Sequence, residues 1–377
     1  MKYLLLPDKF KNSLTSQEVI DTLRRGIQNV DTRPIIKSVQ VSDGGDGFLE
    51  AIYATGDYLW EQLESVNAYG HPIPSAYLSD IENASAYIEL ANTCGYAPLG
   101  NESLDITKSS TQGLGIQIRD ALNKGFKQIY VGLGGSVTND GGIGIAQELG
   151  YQFYDQHGKE ISKTNASCLG MISSIESPKN INHLRGLNFF AVNDVENPLF
   201  GPNGAAYIYA RQKGATEHQI KILDEGLQNL DFQVTRCLGE KFAQEKGAGA
   251  AGGTAYGLKV FSKAKFIRGF DFLSARYELP QTIKNGRFDF IITGEGRFDN
   301  QSLSGKFVQG ILELSQLSPL STVVIICGTS EINSLNNIVN PTVILEIRDK
   351  TQTLEYCMEH ATDLIEEKIT DYLTQIR

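Results

Sequence analysis

Two periods govern the apolar positions of this chain. Tyr3–Leu6 is a short continuous apolar run, as a buried strand would be, and Ile20, Leu23, Ile27 and Val30 then recur at helical spacing. Thr15-Ser16-Gln17-Glu18 has the spacing of a capping box, which starts that helix. A second apolar run, Ile35–Val41, completes a strand–helix–strand unit, whose crossover should be right-handed. The C-terminal third repeats the idiom. Phe288–Thr293 reads as a strand that passes through a Gly294-Glu295-Gly296-Arg297 turn into a periodic helix from near Ser304. That helix carries Val308, Ile311 and Leu312; strands are expected at Thr322–Cys327 and Thr342–Ile347. A last helix places Leu354, Met358, Ala361, Leu364/Ile365, Ile369 and Leu373 on one stripe.

The middle of the chain differs. Residues 58–91 alternate and turn often, as an antiparallel segment would; Ser109–Leu122 reads as a helix, and Gln128–Val131 and Leu187–Val192 as strands. The segment 197–215, rich in Gly, Pro and Tyr, reads as loop. The class is α/β: residues 1–66 plus 286–377 form a discontinuous parallel-sheet domain, and 67–285 an inserted second α/β domain. Residues 105–150 fit either. A chain of 377 residues exceeds one comfortable core, which is consistent with two domains.

Composition is that of a globular protein, 41% hydrophobic and 21% charged, with 38 glycines gathered in loops. The formal charge of −10 and the lack of a Lys/Arg block argue against a nucleic-acid partner, whose phosphates need a basic face. An anionic substrate would have to be held by local cations and helix N-termini. Five widely spaced cysteines make no CxxC, so neither a zinc site nor a disulfide frame is indicated; Cys327, ending an apolar run, reads as a core thiol. The N-terminal apolar run is too short for a signal peptide and no segment approaches membrane-spanning length, so a cytoplasmic protein without a membrane partner is expected.

Chemistry concentrates in loops after strands, where open α/β sheets bind ligands. Glu295, Arg297, Asp299 and Lys306, with Gly294, mix carboxylates and cations as a phosphate–metal site would; a solvated, ion-paired loop is the alternative. Lys9, Lys11 and Ser13, between the first strand and its capped helix, suit a phosphate or else a solvated basic turn. Asp43-Gly44-Gly45-Asp46-Gly47 could meet Mg²⁺ or a sugar-like hydroxyl, or be a tight Asx turn. The run from Gly132 to Gly142, including Gly134, Gly135, Ser136 and Thr138, offers backbone amides to an anion, while Asp140 or Asn139 can cap the next helix. Gly247-Ala248-Gly249-Ala250-Ala251-Gly252 matches GxGxxG, but the preceding Leu238–Lys246 reads as polar and helical, so a flexible or anion-contacting loop between domains is expected in place of a dinucleotide fingerprint. Asp194 ends the strand at 187–192. With no Walker loop, no nucleophile elbow and no histidine triad, positioning and electrostatics are left to do the chemistry, as in phosphoryl transfer.

The order of these loops resembles the type 1 glycerate kinase family along nearly the whole chain. The stretches that carry the resemblance are PDKFKNSLTSQE at 7–18, SDGGDG at 42–47, GLGGSVTNDGGIG at 132–144, NDVENPLFG at 193–201, RQKGAT at 211–216, GAGAAGG at 247–253 and ITGEGRFDNQSLSGK at 292–306. Asp46 stands where the family more often has Glu, and Asn12 where Gly is usual. The resemblance implies a discontinuous Rossmann/flavodoxin-like domain with an inserted domain and an active site in the cleft between them. It implies ATP-dependent, Mg²⁺-assisted phosphorylation of D-glycerate, most often at the 2-hydroxyl. Alternatives are the 3-phosphate product, another small hydroxy-acid, or a non-catalytic sugar-acid sensor; a homodimer is entertained. Among the aligned loops, Asp194 is the candidate base, Asp43 and Glu295 the candidate metal ligands, and Lys11 and Lys306 the candidate phosphate contacts. Lys213 and Gly249 join the remaining loop residues as binding candidates.

Overall fold

The computed structural model describes residues 1–377 apart from 12, 41–44, 46, 101–102, 180–185, 301, 304–306, 333–334, 336–338 and 350. Among the described residues thirteen strands follow one another: β1 (Lys2–Pro7), β2 (Ile35–Ser38), β3 (Leu59–Val66), β4 (Pro72–Asp80), β5 (Ser85–Glu89), β6 (Gln128–Gly132), β7 (Gln152–Tyr154), β8 (Ser174–Glu176), β9 (Asn188–Val192), β10 (Lys265–Ile267), β11 (Phe290–Phe298), β12 (Thr322–Ser330) and β13 (Thr342–Glu346). By its contacts the chain divides into two units, Met1–Asp43 with Phe270–Arg377, and Gly44–Gly269.

The first unit holds a five-stranded sheet in the order β13-β12-β11-β1-β2, parallel throughout. A parallel sheet is covered on both faces, and β1 shows why its run is continuously apolar. Tyr3 and Leu5 pack with Val19, Leu23, Ile365 and Ile369 of the helices Ser16–Val30 and Ala361–Gln375. Leu4 and Leu6 face Phe270, Ile283, Phe307 and Ile311 on the opposite side. Thr15 caps the first helix in a complete capping box with Glu18.

The second unit holds a six-stranded sheet in the order β10-β9-β6-β5-β4-β3. Its first four strands are parallel, and β4 and β3 add antiparallel. Ile129, Val131, Ala86, Ile88 and Phe189 enter the main core, while Tyr87, Tyr130 and Phe190 stack across neighbouring strands at 5.0 and 4.5 Å.

Several expectations are corrected. The expected boundary at 66/67 falls inside one sheet, because β3 pairs along its length with β4. Likewise residues 270–285 lie with the first unit, since Phe270, Leu279 and Ile283 bury themselves against Leu4, Leu6 and Ile291. Gly294-Glu295-Gly296-Arg297 is no turn: β11 runs on to Phe298, paired with β12. The glycine permits this, for a Cβ on Gly294 would lie 1.9 Å from the Ile326 carbonyl oxygen. The helix after it spans Phe307–Ser315, and Ser304 lies outside the described residues. The segment 197–215 contains the helix Ala205–Tyr209 and a 3₁₀ turn Arg211–Lys213, because Ala205, Ala206 and Ala210 are fully buried small residues. The helix Glu217–Leu238 stops at Gly239, at φ +75°, so 239–246 is not helical. Leu354 is exposed, and the last stripe is split at His360 into helices Leu354–Glu359 and Ala361–Gln375.

Candidate active site

In the first unit the carboxyl ends of β1, β11 and β12 and the residues after β13 open onto a cavity of about 870 Å³. Lys9, Lys11, Ser13, Glu295, Arg297 and Asp299 all line it. Gly294 does not; it lies within the sheet between Pro7 and Ile326. Ser13 donates its hydroxyl hydrogen bond to the Met358 carbonyl at 2.7 Å, which ties the loop after β1 to the C-terminal helices. Arg297 is held between Glu331, at 2.5 Å, and Asp299, at 3.5 Å. Asp299 accepts from the Ser302 amide and opens the turn that follows β11.

Asp8, Glu331 and Arg348 also line this cavity and were missed by the sequence reading. Arg348 follows the end of β13, so the rule that sites lie past strand carboxyl ends was the signal that could have found it. Apolar side chains line it too, among them Ile347, Leu354, Met358 and Ala361. Asp43, Gly44 and Lys306 lie outside the described residues, as do Asn12 and Asp46.

In the second unit Gly134, Gly135, Ser136 and Thr138 lie on the loop after β6, and Gly249 on the loop before the helix Ala250–Ser262. Gly134 touches Gly45 backbone to backbone, since a Cβ on Gly134 would lie 2.1 Å from the Gly45 Cα. The GxGxxG stretch is buried inside this unit and is not a flexible connection. Ala251, Gly252 and Gly253 form a left-handed turn, and the Gly252 carbonyl accepts from the Gly141 amide at 3.1 Å. A Cβ on Gly252 would fall 2.0 Å from the Thr138 carbonyl oxygen. These glycines let one loop lie on the other, which explains the pattern without a dinucleotide. Gly249 donates its amide to the Asn197 carbonyl in the same manner.

Asp140 is fully buried and accepts from Thr111 N, Thr111 Oγ1, Gly142 N and Gly144 N, between 2.8 and 3.3 Å. Burial pushes its pKa up, against the pull of those donors. The expected cap is corrected: the N-cap of the helix Ile143–Glu148 is Gly142, without a side-chain cap bond, and Asp140, two residues earlier, takes the first-turn amide of Gly144. Lys213 is only 3% exposed and donates to Ser136 Oγ and the Thr138 carbonyl, both at 2.8 Å. Burial pulls its pKa down to about 7, with the Asp140 charge acting in the other direction. Asp194 follows β9, its side chain 6% exposed and 4.0 Å from Arg268 Nε. The turn beside it is made by Asn193, whose Oδ1 accepts the Val195 amide.

Among the described residues no group of three or more His, Cys, Asp and Glu is placed to hold a metal. Mg²⁺ usually takes only one or two carboxylates with phosphates and waters. Asp8, Glu295 and Asp299 on one cavity are hard oxygen donors of that kind, so the residues present fit the ion. No helix among the described residues is long and apolar enough to cross a membrane.

The fold and the strand-end carboxylates and cations define an α/β phosphotransferase-like molecule, and comparison with known proteins gives the family. The glycerate kinase family model matches residues 3–377. The chain is 29% identical to the glycerate kinase of Bacillus subtilis (strain 168), covering 100% of this chain and 98% of the relative. It is 32% identical to the glycerate kinase of Neisseria meningitidis serogroup B, covering 97% and 96%. The glycerate 2-kinase of Escherichia coli K12 is also 32% identical, over 84% of this chain and 82% of its own. A crystal structure from Salmonella typhimurium LT2, of a protein provisionally designated glycerate kinase 2, superposes with a TM-score of 0.77 at 29% identity, covering 100% of this chain and 98% of that one. The chain belongs to the glycerate kinase family and is a kinase, and membership implies use of ATP.

Proposed function

We propose that this kinase phosphorylates D-glycerate at the 2-hydroxyl, giving 2-phosphoglycerate by direct in-line transfer from ATP. The observation that carries the nucleotide half is the mixed charged and apolar lining of the first unit's cavity. At about 870 Å³ it is much larger than a three-carbon acid requires. Lys9, Lys11, Arg297 and Arg348 suit a polyphosphate, and the Ile347, Leu354, Met358 and Ala361 side chains suit a purine. Lys306 is proposed to add to the phosphate contacts. Glu295 and Asp43 would hold Mg²⁺, which when bound neutralises charge on the phosphates.

Asp194 is the proposed base, drawing the proton from the acceptor hydroxyl. Its buried position beside Arg268 keeps the carboxylate oriented. Gly44, Gly45, Gly134, Gly135, Ser136, Thr138, Lys213 and Gly249 are proposed to shape substrate binding. The 2-position is supported by the name of the Escherichia coli relative.

A coupled ADP-release assay over a panel of hydroxy-acids, with NMR of the product, tests this. D-glycerate should be the preferred acceptor, the phosphate should appear on the 2-oxygen, and EDTA should abolish turnover. Activity that survives thorough metal removal would refute the Mg²⁺ assignment. A 3-phosphate product would refute the regiochemistry, and no turnover with any hydroxy-acid would favour a sensor.

A further inference from the structure

Lys213 is an ammonium set deep in the second unit with more hydrogen-bonding capacity than its surroundings use. It carries three N–H groups, and among the described residues only Ser136 Oγ and the Thr138 carbonyl accept from it. Asp140, the charge nearest in effect, makes no ion pair with it, its carboxylate being taken up by Thr111, Gly142 and Gly144. The same short loop holds further unmet groups. Thr138 Oγ1 and both amide atoms of Asn139 are buried, with the residues 0% exposed, and have no hydrogen-bond partner among the described residues. Buried polar groups are nearly always paired, so such a concentration in two consecutive residues beside a buried lysine calls for a ligand. The backbone against this loop is also strained: Ala251 sits at φ +52°, in the turn whose Gly252 approaches Thr138 and Asn139.

We propose that Lys213, Asn139 and Thr138 form the subsite for the polar head of the hydroxy-acid, with its carboxylate as the counter-ion of Lys213. The unmet groups match that chemistry in kind. The third Lys213 N–H and the Asn139 Nδ2 donate to carboxylate oxygens, while Asn139 Oδ1 and Thr138 Oγ1 remain for a hydroxyl. A phosphate, which presents mainly acceptors, would leave Asn139 Oδ1 unmet. Asn139 thereby becomes a specificity residue, and the subsite rests on the hydroxy-acid kinase reading above.

The test compares D-glycerate with its neutral amide, glyceramide, as acceptors, with the KM for ATP and the thermal midpoint measured alongside. Thr138→Val and Asn139→Leu remove groups that the fold leaves unpaired, so both should keep or raise the midpoint. Asn139→Leu should raise the D-glycerate KM roughly tenfold or more, the scale of a lost hydrogen bond to a charged group; Thr138→Val, which loses a bond to a neutral hydroxyl, should raise it about two- to tenfold; both should leave the ATP KM in place. Lys213→Met should collapse the preference for D-glycerate over glyceramide by roughly tenfold or more. Asn139→Asp, which places a negative charge against the carboxylate, should penalise D-glycerate far more than glyceramide. An unchanged preference in the folded Lys213 and Asn139→Asp variants overturns the subsite, as does a rise confined to the ATP KM, which would mark a phosphate site. Wild-type protein that turns over neither acceptor nor any other hydroxy-acid overturns the kinase reading itself, and the subsite with it.

Discussion

The roles proposed for Asp194 and Lys11 predict changes in different kinetic constants. A general base contributes roughly 10²–10⁴-fold, so Asp194→Asn should lower kcat by about that factor with little change in the KM for ATP. A loss below about tenfold in a folded variant would remove it from the catalytic set. Lys11→Ala should raise KM and lower kcat, because in its proposed role its charge would meet the phosphates before and during transfer. Lys213 makes a pH prediction. Its folded pKa, about 7, lies below the ordinary 10.5, so between those values the unfolded chain binds the extra proton. Stability should therefore rise with pH from about 7 towards 10, and the Lys213→Met variant should lack that share of the rise. Denaturant titrations of both proteins at pH 7 and pH 9 check the sign.

At the scale of elements, two kinds of glycine behave differently. Gly252 combines φ +66° with a Cβ position 2.0 Å from the Thr138 carbonyl oxygen. Gly252→Ala should cost at least about 1–2 kcal/mol from the left-handed backbone alone, with the steric conflict added. A thermal midpoint equal to wild type would contradict this packing of the two loops. Gly47, also left-handed at φ +89°, has no described atom within 4 Å of its Cβ position, so its alanine variant should lose only the backbone share. The same loop contact explains why GxGxxG here is not a dinucleotide fingerprint: no strand precedes Gly247, whose approach is a turn after the Glu217–Leu238 helix. Calorimetry should find no saturable NAD or NADP binding, and a micromolar dissociation constant would overturn that reading.

For the molecule as a whole, ligand binding should appear as stability. A ligand that binds only the native state adds about 2.7 kcal/mol at a hundred times its dissociation constant. Mg²⁺ with ATP should therefore raise the thermal midpoint by an amount that grows with the logarithm of concentration. Leu354→Asp in the apolar lining of the first unit's cavity should reduce that rise for ATP more than for inorganic triphosphate, which lacks a base. Equal loss with both would contradict the placement of the purine. The net charge of −10 makes these local cations necessary, because the overall field repels both anionic substrates.

What the chain declares by itself is local. The β1–helix–β2 unit, the Thr15 capping box and the buried character of β11 and β12 depend on neighbours within a few residues, so periodicity and caps expose them. The family, too, was legible, because seven ordered segments survive as contiguous text. Tertiary structure decided the rest, because it concerns residues far apart in the chain. Lys213 reaches Ser136 across 77 positions, and no spacing rule links them. The extension of β11 through Glu295 and Arg297 depends on how closely Gly294 lets β12 approach, which local turn chemistry had read as a bend. Asn139 looked like a cap from its place before a helix. Only the finding that Asp140 takes the Gly142 and Gly144 amides, leaving the buried Asn139 amide without a partner among the described residues, turned it into a candidate for recognising substrate.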